Sequence, residues 1–287
     1  MPDAPQIVYL NGQFVALADA KVSVLDRGFI YGDGVYEVVP VYGRRAFRMP
    51  QHLSRLQYSL GGIRLANPHS NAEWEALIGE LVARQPFADQ AVYLQITRGV
   101  APRDHGFPKS AKPTLVVTSR TSRRPDPRLW QDGIAVITIP DIRWKRCDIK
   151  SISLISNVLG KQQAREAGVF EAWQIDSEGR ITEGTSTNAW IVTGDAMVVT
   201  RTADNAILNG VTRLAVLDII AREGYRLDER PFTVEEAKAA REAFLTSTTS
   251  DVLPVVHIDG TPIGNGKPGS LSLTLRAAYL AHAAVSA

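Results

Sequence analysis

The first third of the chain alternates short apolar runs with turn residues, a pattern that predicts the strands of an antiparallel sheet. The pair Asn11-Gly12 and the single residue Gly43 mark hairpins between such runs. Two later segments repeat apolar residues every three or four positions, which predicts amphipathic helices over the sheet. The predicted strands are 7–10, 13–15, 22–25, 35–42, 45–48, 91–98 and 114–118, and the predicted helices cover 53–63 and 74–82.

The second half mixes strand and helix patterns. A polar stretch with two prolines, residues 121–127, predicts a linker between a smaller α+β domain over 1–120 and a larger cofactor-binding domain over 128–287. Small-molecule sites are common between domains, so we expect the site in the cleft between the two halves. The predicted strands are 134–139, 170–176, 188–193, 197–200, 243–246 and 252–258, and the predicted helices are 154–167, 211–223, 234–241 and 271–284.

Composition indicates a globular protein with a substantial core. The 287 residues are 45% hydrophobic and 22% charged, with a formal net charge of +2. This charge is too small to indicate a nucleic-acid or membrane partner, and no run approaches the roughly 20 apolar residues of a membrane span. The first six residues carry neither a basic leader nor an apolar run, so no signal peptide is expected. The single cysteine, Cys147, excludes an internal disulfide, fits the reducing cytoplasm, and is expected to be a packed residue.

A lysine and a glutamate are the first candidates for chemistry. Lys150 ends a basic segment that begins at Arg143, and Glu183 precedes the small residues 184–187. A lysine amine condenses with a carbonyl cofactor to a Schiff base, and a carboxylate can keep the nitrogen of a heteroaromatic ring protonated. The alternative is a basic exposed strand and a solvated glutamate in a loop. The catalytic interpretation requires Lys150 to be buried, because burial shifts a lysine pKa more than an exposed neighbour does.

Separate segments offer ligands for a phosphate group. Val211 and Thr212 open an amphipathic helix, and the amino ends of helices bind anions through free N–H groups and the helix dipole. Ser247 and Thr248 belong to a hydroxyl-rich loop, and Arg55 lies on the first predicted helix. Each segment also has an ordinary structural explanation: a helix start, a strand that runs into a turn, and a solvated arginine.

A loop rich in glycine and proline, residues 97–108, offers ligands for a carboxylate. Arg103 and His105 could bind an α-carboxylate together, since each charge-assisted hydrogen bond contributes roughly 1.5–3 kcal/mol. Tyr36 offers a further donor. The spacing Gly32-x-Gly34 before it lacks the third glycine and the following helix of a dinucleotide-binding fingerprint, so we reject a dinucleotide site there.

Taken together, these motifs resemble the fold-type IV enzymes that depend on pyridoxal phosphate (PLP), the class IV aminotransferases. The resemblance covers nearly the whole chain and is strongest to bacterial D-amino-acid transaminases, because the loop Arg103-x-His105-x-Phe107-Pro108 is similar to their carboxylate site. The segments that carry it are 26–28, 32–39, 97–99, 103–108, 141–144, 146–151, 182–184 and 246–250.

The resemblance implies an α+β, two-domain enzyme with PLP and no metal ion. It also implies a homodimer in which the Arg103 loop enters the site of the neighbouring subunit. Lys150 would be the Schiff-base lysine and proton shuttle, and Glu183 the partner of the pyridine nitrogen. The implied phosphate ligands are Arg55, the amides of Val211 and Thr212, Ser247 and Thr248. The implied carboxylate ligands are Tyr36, Arg103 and His105.

The implied reaction is ping-pong transfer of an amino group between D-amino acids and 2-oxo acids, such as D-alanine and 2-oxoglutarate giving pyruvate and D-glutamate. The nearest alternatives are a branched-chain L-amino-acid transaminase, an (R)-amine transaminase or a PLP lyase of the same fold. Arg103 and His105 oppose the amine version, since such an amine has no carboxylate. A non-catalytic protein that binds a small anion is a further alternative, and the presence of both Lys150 and Glu183 opposes it.

Overall fold

The computed structural model describes residues 6–122 and 126–286. Within them the chain forms two compact units, one from residues 6–122 with Ile149–Ser153, the other from residues 126–148 and 154–285. Residues 1–5, where no signal peptide is expected, and residues 123–125 of the predicted linker lie outside the described part. Ile149–Ser153, which sequence analysis places in the larger domain, groups with the first unit because Ser151 pairs with Val35 there.

The first unit contains an antiparallel sheet of six strands, as the alternating pattern predicts. Its strands are β1 (Ile7–Leu10), β2 (Gln13–Ala16), β3 (Gly34–Tyr42), β4 (Arg45–Ala46), β5 (Gln90–Thr97) and β6 (Thr114–Thr121). The strand order is β2-β1-β6-β5-β3-β4. β3 and β5 pair from Gly34 opposite Thr97 to Val41 opposite Gln90. This long pairing fixes β3, the strand that carries Tyr36.

Helices of the first unit pack on this sheet. They are α1 (Arg27–Tyr31), α2 (Met49–Gly62) and α3 (Asn71–Ala83). Leu53, Leu56 and Leu60 recur at helical spacing on α2 and are buried in one core with Val35 and Val39 of β3. Burial of such a side chain contributes about 1.5–3 kcal/mol, so this apolar stripe seats α2 on β3. The prediction of two helices over the sheet is confirmed for α2 and α3.

The strand predicted over residues 22–25 is wrong. Val22 and Val24 alternate as in a strand, but both side chains are exposed and the segment forms no strand. The chain turns instead into α1, because Asp26 Oδ1 accepts a hydrogen bond from the Gly28 N–H at 2.8 Å and caps the helix.

The second unit contains a mixed sheet of ten strands. They are β7 (Ile134–Pro140), β8 (Glu171–Ile175), β9 (Arg180–Gly184), β10 (Asn188–Val192), β11 (Val198–Thr200), β12 (Leu227–Glu229), β13 (Phe232–Thr233), β14 (Glu242–Ser247), β15 (Asp251–Ile258) and β16 (Thr261–Pro262). The order is β12-β11-β10-β14-β15-β7-β8-β9-β13, with β16 beside β15. β7 runs parallel to β15 and β8, and β11 runs parallel to β12.

The helices of the second unit are α4 (Arg128–Asp132), α5 (Ile155–Glu166), α6 (Val211–Arg222), α7 (Val234–Lys238) and α8 (Ser270–Ser286). The predictions of α5, α6 and α8 are confirmed to within two residues at each end, whereas α7 ends earlier than predicted. None of the helices in the described residues combines the length and the apolar character that crossing a bilayer requires.

Glu183 lies in a strand, although the pattern predicts no strand between residues 176 and 188. It belongs to β9, which pairs with β8 on one side and β13 on the other. A tight turn precedes β9, in which the Gly179 N–H donates to the Asp176 carbonyl at 3.0 Å. Hydrogen bonds on both edges of β9 therefore fix the position from which Glu183 projects.

Candidate active site

Lys150 lies in the first unit, on an irregular segment beside the buried residue Ile149. Its carbonyl accepts a hydrogen bond from the Tyr36 N–H at 3.0 Å, and its own N–H donates to Ser59 Oγ at 3.1 Å. The side chain is half-buried, and Nζ lies 4.2 Å from the centre of the Tyr36 ring. β3 and α2 thus fix the main chain of Lys150, and the expected burial of its side chain is found in part. The amine rests against an aromatic face, which attracts a cation.

A buried carboxylate, Glu37, follows Tyr36 on β3 and binds the predicted phosphate ligand Arg55. Arg55 Nε donates to Glu37 Oε1 at 2.7 Å and Nη2 donates to Oε2 at 2.9 Å, while His52 Nδ1 lies 2.8 Å from Oε2. Burial alone would raise the pKa of Glu37, but Arg55 and His52 hold it well below its usual value. Burial lowers the pKa of His52, so an ionised Glu37 faces a neutral histidine near neutral pH.

Glu37 and His52 are not among the site residues predicted from the sequence. The available signal was the position of Glu37, which shares one face of the strand with the apolar residues Val35 and Val39. A carboxylate buried among such residues requires a cation as its partner. The structure fixes the Arg55 side chain through Glu37, and its contact with a phosphate stays a prediction.

The loop that carries Arg103 and His105 is also part of the first unit, and both side chains are exposed. The His105 ring lies 5.4 Å from the ring of Tyr31, the last residue of α1, and the Arg103 guanidinium lies 5.8 Å from the same ring. The structure therefore brings Arg103 and His105 together around Tyr31. Tyr36, the third predicted carboxylate ligand, contacts Lys150. Joint binding of one carboxylate by all three side chains stays a prediction.

Glu183 is buried in the second unit and is surrounded by donors. Arg143 Nη1 donates to Oε1, the Asn188 amide donates to Oε2 at 3.0 Å, and the Leu208 N–H donates to Oε2 at 3.1 Å. Burial raises the pKa of Glu183, and the Arg143 guanidinium and the Leu208 N–H oppose that rise. An arginine keeps its charge in proteins, so the ionised carboxylate is the form that these donors stabilise.

Arg143, which contacts Glu183, is not among the site residues predicted from the sequence. The exposed basic strand considered as the alternative is wrong for this position, since the Arg143 side chain is only 6% exposed. Asp141 holds it, accepting from Nε at 2.9 Å and from Nη2 at 2.7 Å. The available signals were the pair Asp141-x-Arg143 and its place in the resemblance segment 141–144, since Glu183 lies 40 residues further along the chain.

Cys147 is buried, as expected of a packed residue. Its Sγ lies 3.1 Å from the Trp144 carbonyl oxygen. Burial raises the pKa of the thiol to about 12. The thiolate that a nucleophile requires is therefore scarce at neutral pH.

Asn188 joins Glu183 to the amino end of α6. Its amide donates to Glu183 Oε2 at 3.0 Å, and a Cβ added to Gly210 would lie only 2.2 Å from its Oδ1. Gly210 is the N-cap of α6 and offers no side chain to cap it. The N–H groups of Val211 and Thr212 therefore lack intrahelical partners at a helix end that lies beside the Glu183 cluster.

β14 brings the predicted hydroxyl cluster to the same place. Thr246 is the register partner of Asn188 between β14 and β10, and Ser247 and Thr248 follow it directly. Both residues are half-buried, and Ser247 Oγ accepts from the Ser250 N–H at 3.1 Å. The second unit therefore gathers the buried carboxylate, the open helix end and the hydroxyl turn around one asparagine.

The loop of small residues 185–187 after β9 is held by a second buried carboxylate, Glu171, which is not among the residues predicted from the sequence. Thr185 Oγ1 donates to Glu171 Oε1 at 2.5 Å, and the hydroxyls of Ser186 and Thr187 lie 3.4 and 3.5 Å from Oε2. Lys161 Nζ supplies a counter-charge 3.7 Å from Oε1. These hydroxyl contacts with Glu171 fix the shape of the loop.

These groups fit a pyridine ring with a phosphate. A carboxylate oxygen accepts more than one hydrogen bond, so Glu183 retains capacity for a ring N–H. The open end of α6 offers N–H groups to an anion, and Gly210 leaves that approach free of a side chain. Across residues 6–122 and 126–286, no group of three or more His, Cys, Asp or Glu side chains is placed to hold a metal ion.

Comparison with known proteins gives a consistent result. Residues 34–258 match the model of the family described as amino-transferase class IV. The chain is 39% identical over 271 residues to the D-alanine aminotransferase of Bacillus licheniformis, which covers 94% of this chain and 95% of that one. It is 38% identical over 273 residues to the D-alanine aminotransferase of Staphylococcus aureus (strain N315), which covers 95% and 96%.

A solved structure has the same fold. It is a T.th. branched-chain amino acid aminotransferase with pyridoxamine 5'-phosphate. Its TM-score is 0.91 at 26% sequence identity, and the match covers 99% of this chain and 96% of that one.

Proposed function

Since the chain belongs to the class IV aminotransferases, we propose that it is a PLP-dependent enzyme that transfers the amino group between D-amino acids and 2-oxo acids. The observation that carries the transaminase assignment is the cluster in which Asn188 joins the buried Glu183 to the open end of α6. The assignment to D-amino acids is supported by the identity to D-alanine aminotransferases and by the Arg103-x-His105 loop.

PLP, when bound, supplies an electron sink that stabilises negative charge at the substrate Cα. Glu183 would hold a proton at the pyridine nitrogen, which strengthens that sink. Lys150 would attach the cofactor through Nζ and, once released by the substrate, take the proton from the substrate Cα. The aromatic face of Tyr36 keeps this amine beside β3, 4.2 Å from the ring centre.

The phosphate would be held mainly at the amino end of α6. The amides of Val211 and Thr212 and the hydroxyls of Ser247 and Thr248 supply neutral donors, and the helix dipole favours the anion. Arg55 would add a positive charge, and Glu37 fixes the orientation of its guanidinium. We therefore expect the Glu37→Gln variant to bind PLP more weakly than the wild type.

The substrate carboxylate would be bound by Tyr36, Arg103 and His105. Replacement of Arg103 by leucine should raise the KM for D-alanine at least about tenfold, because a charge-assisted hydrogen bond is lost. The PLP content should stay unchanged. An unaltered KM would mean that the carboxylate is bound elsewhere.

We further infer a homodimer in which the Arg103 loop of one protomer completes the site of its partner. Arg103 and His105 are exposed in the single chain, as a loop offered to a second copy requires. Exposed apolar side chains on the same unit, Val24, Phe29 and Val100, would be covered by such an interface. Sedimentation equilibrium tests this inference, and a monomer that retains full activity would contradict it. The single cysteine favours a cytoplasmic location.

Coupled assays with D-alanine and L-leucine, each with 2-oxoglutarate, test the stereochemical assignment. We expect turnover of D-alanine to pyruvate with formation of D-glutamate. The branched-chain alternative is favoured by one observation, the high structural similarity to a branched-chain amino acid aminotransferase. Turnover of L-leucine alone would establish that alternative and leave the cofactor assignment in place.

A further inference from the structure

Two buried arginines lie on either side of one aspartate in the first unit, and the proposed reaction gives this cluster no role. Arg27 opens α1, Asp33 follows that helix, and Arg98 follows β5. Arg27 Nε and Arg98 Nε both donate to Asp33 Oδ2 at 2.8 Å, and Arg98 Nη2 donates to Oδ1 at 3.0 Å. Burial would raise the pKa of Asp33, but Arg98 and Arg27 hold it below its usual value. The aspartate is therefore charged and orients both guanidinium groups.

Arg27 directs its remaining donors at the main chain of the Arg103 loop. Nη1 donates to the Asp104 carbonyl at 2.6 Å and to the Gly106 carbonyl at 3.2 Å, and Nη2 lies 3.4 Å from the His105 carbonyl oxygen. One planar guanidinium thus contacts the carbonyls of consecutive residues, a geometry that the single ammonium group of lysine cannot reproduce. Arg27 thus holds the main chain of the loop, while the side chains of Arg103 and His105 stay exposed and available to a ligand.

Arg98 supports the far end of the same loop. Its guanidinium lies 3.7 Å from the centre of the Phe107 ring, and its Nη2 donates to the Ile63 carbonyl at 2.7 Å. Phe107 is 52% exposed, so the guanidinium groups of Arg98 and, at 5.6 Å from the ring centre, Arg64 link this end of the loop to the unit beneath. The loop has no helix or strand of its own, and side-chain contacts must therefore fix its shape.

We propose that Arg27, Asp33 and Arg98 are positioning residues that hold Arg103 and His105 in the geometry that binds the substrate carboxylate, an inference that rests on the proposed function. The reacting atoms do not touch these three side chains in this account. Their loss should therefore weaken substrate binding while PLP binding and the maximal rate are nearly preserved.

Steady-state kinetics of the PLP-loaded Arg27→Lys variant test the consequence for substrate binding. We expect the KM for D-alanine to rise about tenfold with kcat within about threefold of the wild type, because displacement of Arg103 and His105 weakens their charge-assisted hydrogen bonds to the carboxylate. The Phe107→Ala variant changes an exposed side chain and leaves the buried cluster of Arg27, Asp33 and Arg98 intact. It should show the same raised KM with a nearly unchanged kcat, and it serves as the test if Arg27→Lys fails to fold. Arg201→Lys is the matched control, since Arg201 is a buried arginine that pairs with Asp176 and Asp204.

Hydrogen exchange measured by mass spectrometry tests the positioning itself without any enzymatic reaction. Both variants should speed amide exchange in a peptide covering the Arg103 loop and leave a peptide of α2 unchanged. Unchanged exchange in the loop, or faster exchange with an unaltered KM, would overturn the proposal. If the wild type has no transaminase activity, the proposed function fails, while the exchange result still decides whether these residues hold the loop.

Discussion

Replacement of Arg143 by glutamine removes the counter-charge of a buried carboxylate. In the wild type, Arg143 contacts Glu183, pairs with Asp141 at 2.7 Å, and donates to the Ala206 carbonyl at 3.0 Å. Loss of one partner of a buried ion pair costs roughly 3–5 kcal/mol, because the other charge is left unpaired. For a unit of this size we expect the melting temperature to fall by about 10 °C.

The pH dependence of the same variant is the more specific test. Burial already raises the pKa of Glu183, and Arg143 opposes the rise, so removal of Arg143 moves the pKa further upward. Asp141, left without its partner, adds to this shift by repulsion. Glu183 then takes up a proton at higher pH and, in its proposed role, would no longer support a charged ring nitrogen. The acid limb of kcat should move upward by about one pH unit or more.

Arg226, in the same unit, supplies the control for both measurements. It pairs with Asp195 at 3.1 Å, and both side chains are more than half exposed; such pairs contribute only about 0–1 kcal/mol. The Arg226→Gln variant should therefore keep the wild-type pH profile and melt within about 3 °C of the wild type. If the Arg143→Gln variant kept the wild-type acid limb as well, the assignment of Arg143 as the partner that sets the charge of Glu183 would be wrong.

Three further outcomes follow from the geometry. The pKa of the Glu37 carboxylate is held well below its usual value, so its contribution to stability is present above about pH 4.5 and is lost as the pH falls further. Urea unfolding between neutral and acid pH measures this contribution. The free energy of unfolding should fall less on acidification for Glu37→Gln than for the wild type. A Cβ at Gly210 would lie 2.2 Å from Asn188 Oδ1, so the Gly210→Ala change must displace one of these groups at the amino end of α6. PLP binding, measured by fluorescence titration, should therefore weaken. An unchanged dissociation constant would show that the amino end of α6 does not bind the phosphate. The Cys147 thiol has its pKa raised to about 12, so iodoacetamide should alkylate the native protein far more slowly than the urea-unfolded chain, and equal rates would show that the thiol is accessible.

The sequence predicts most elements of both units because their apolar positions follow regular periods. The stripe of Leu53, Leu56 and Leu60 identifies α2, and the alternation along β3 identifies the sheet. The strand predicted at residues 22–25 is wrong because the alternating apolar side chains there are exposed. Periodicity alone does not show whether a segment is buried.

Part of the site follows from residue chemistry, and part depends on contacts distant in sequence. Lys150 and Glu183 are recognisable because their side chains suit a carbonyl cofactor and a ring nitrogen. Arg143 and Glu171 are not, since their partners lie many residues away along the chain. Arg27 appears in a motif of the resemblance, and only the fold shows that its donors reach the carbonyls of the Arg103 loop.

Borohydride reduction of the purified protein after incubation with PLP, followed by peptide mass spectrometry, tests the central claim most directly. We expect a visible absorbance band that borohydride abolishes and a phosphopyridoxyl group on the peptide that contains Lys150. D-alanine added before the reductant should protect Lys150 from this modification, since the substrate amine displaces the lysine. A protein that gains no absorbance with PLP, or one modified only at other lysines, would contradict the account.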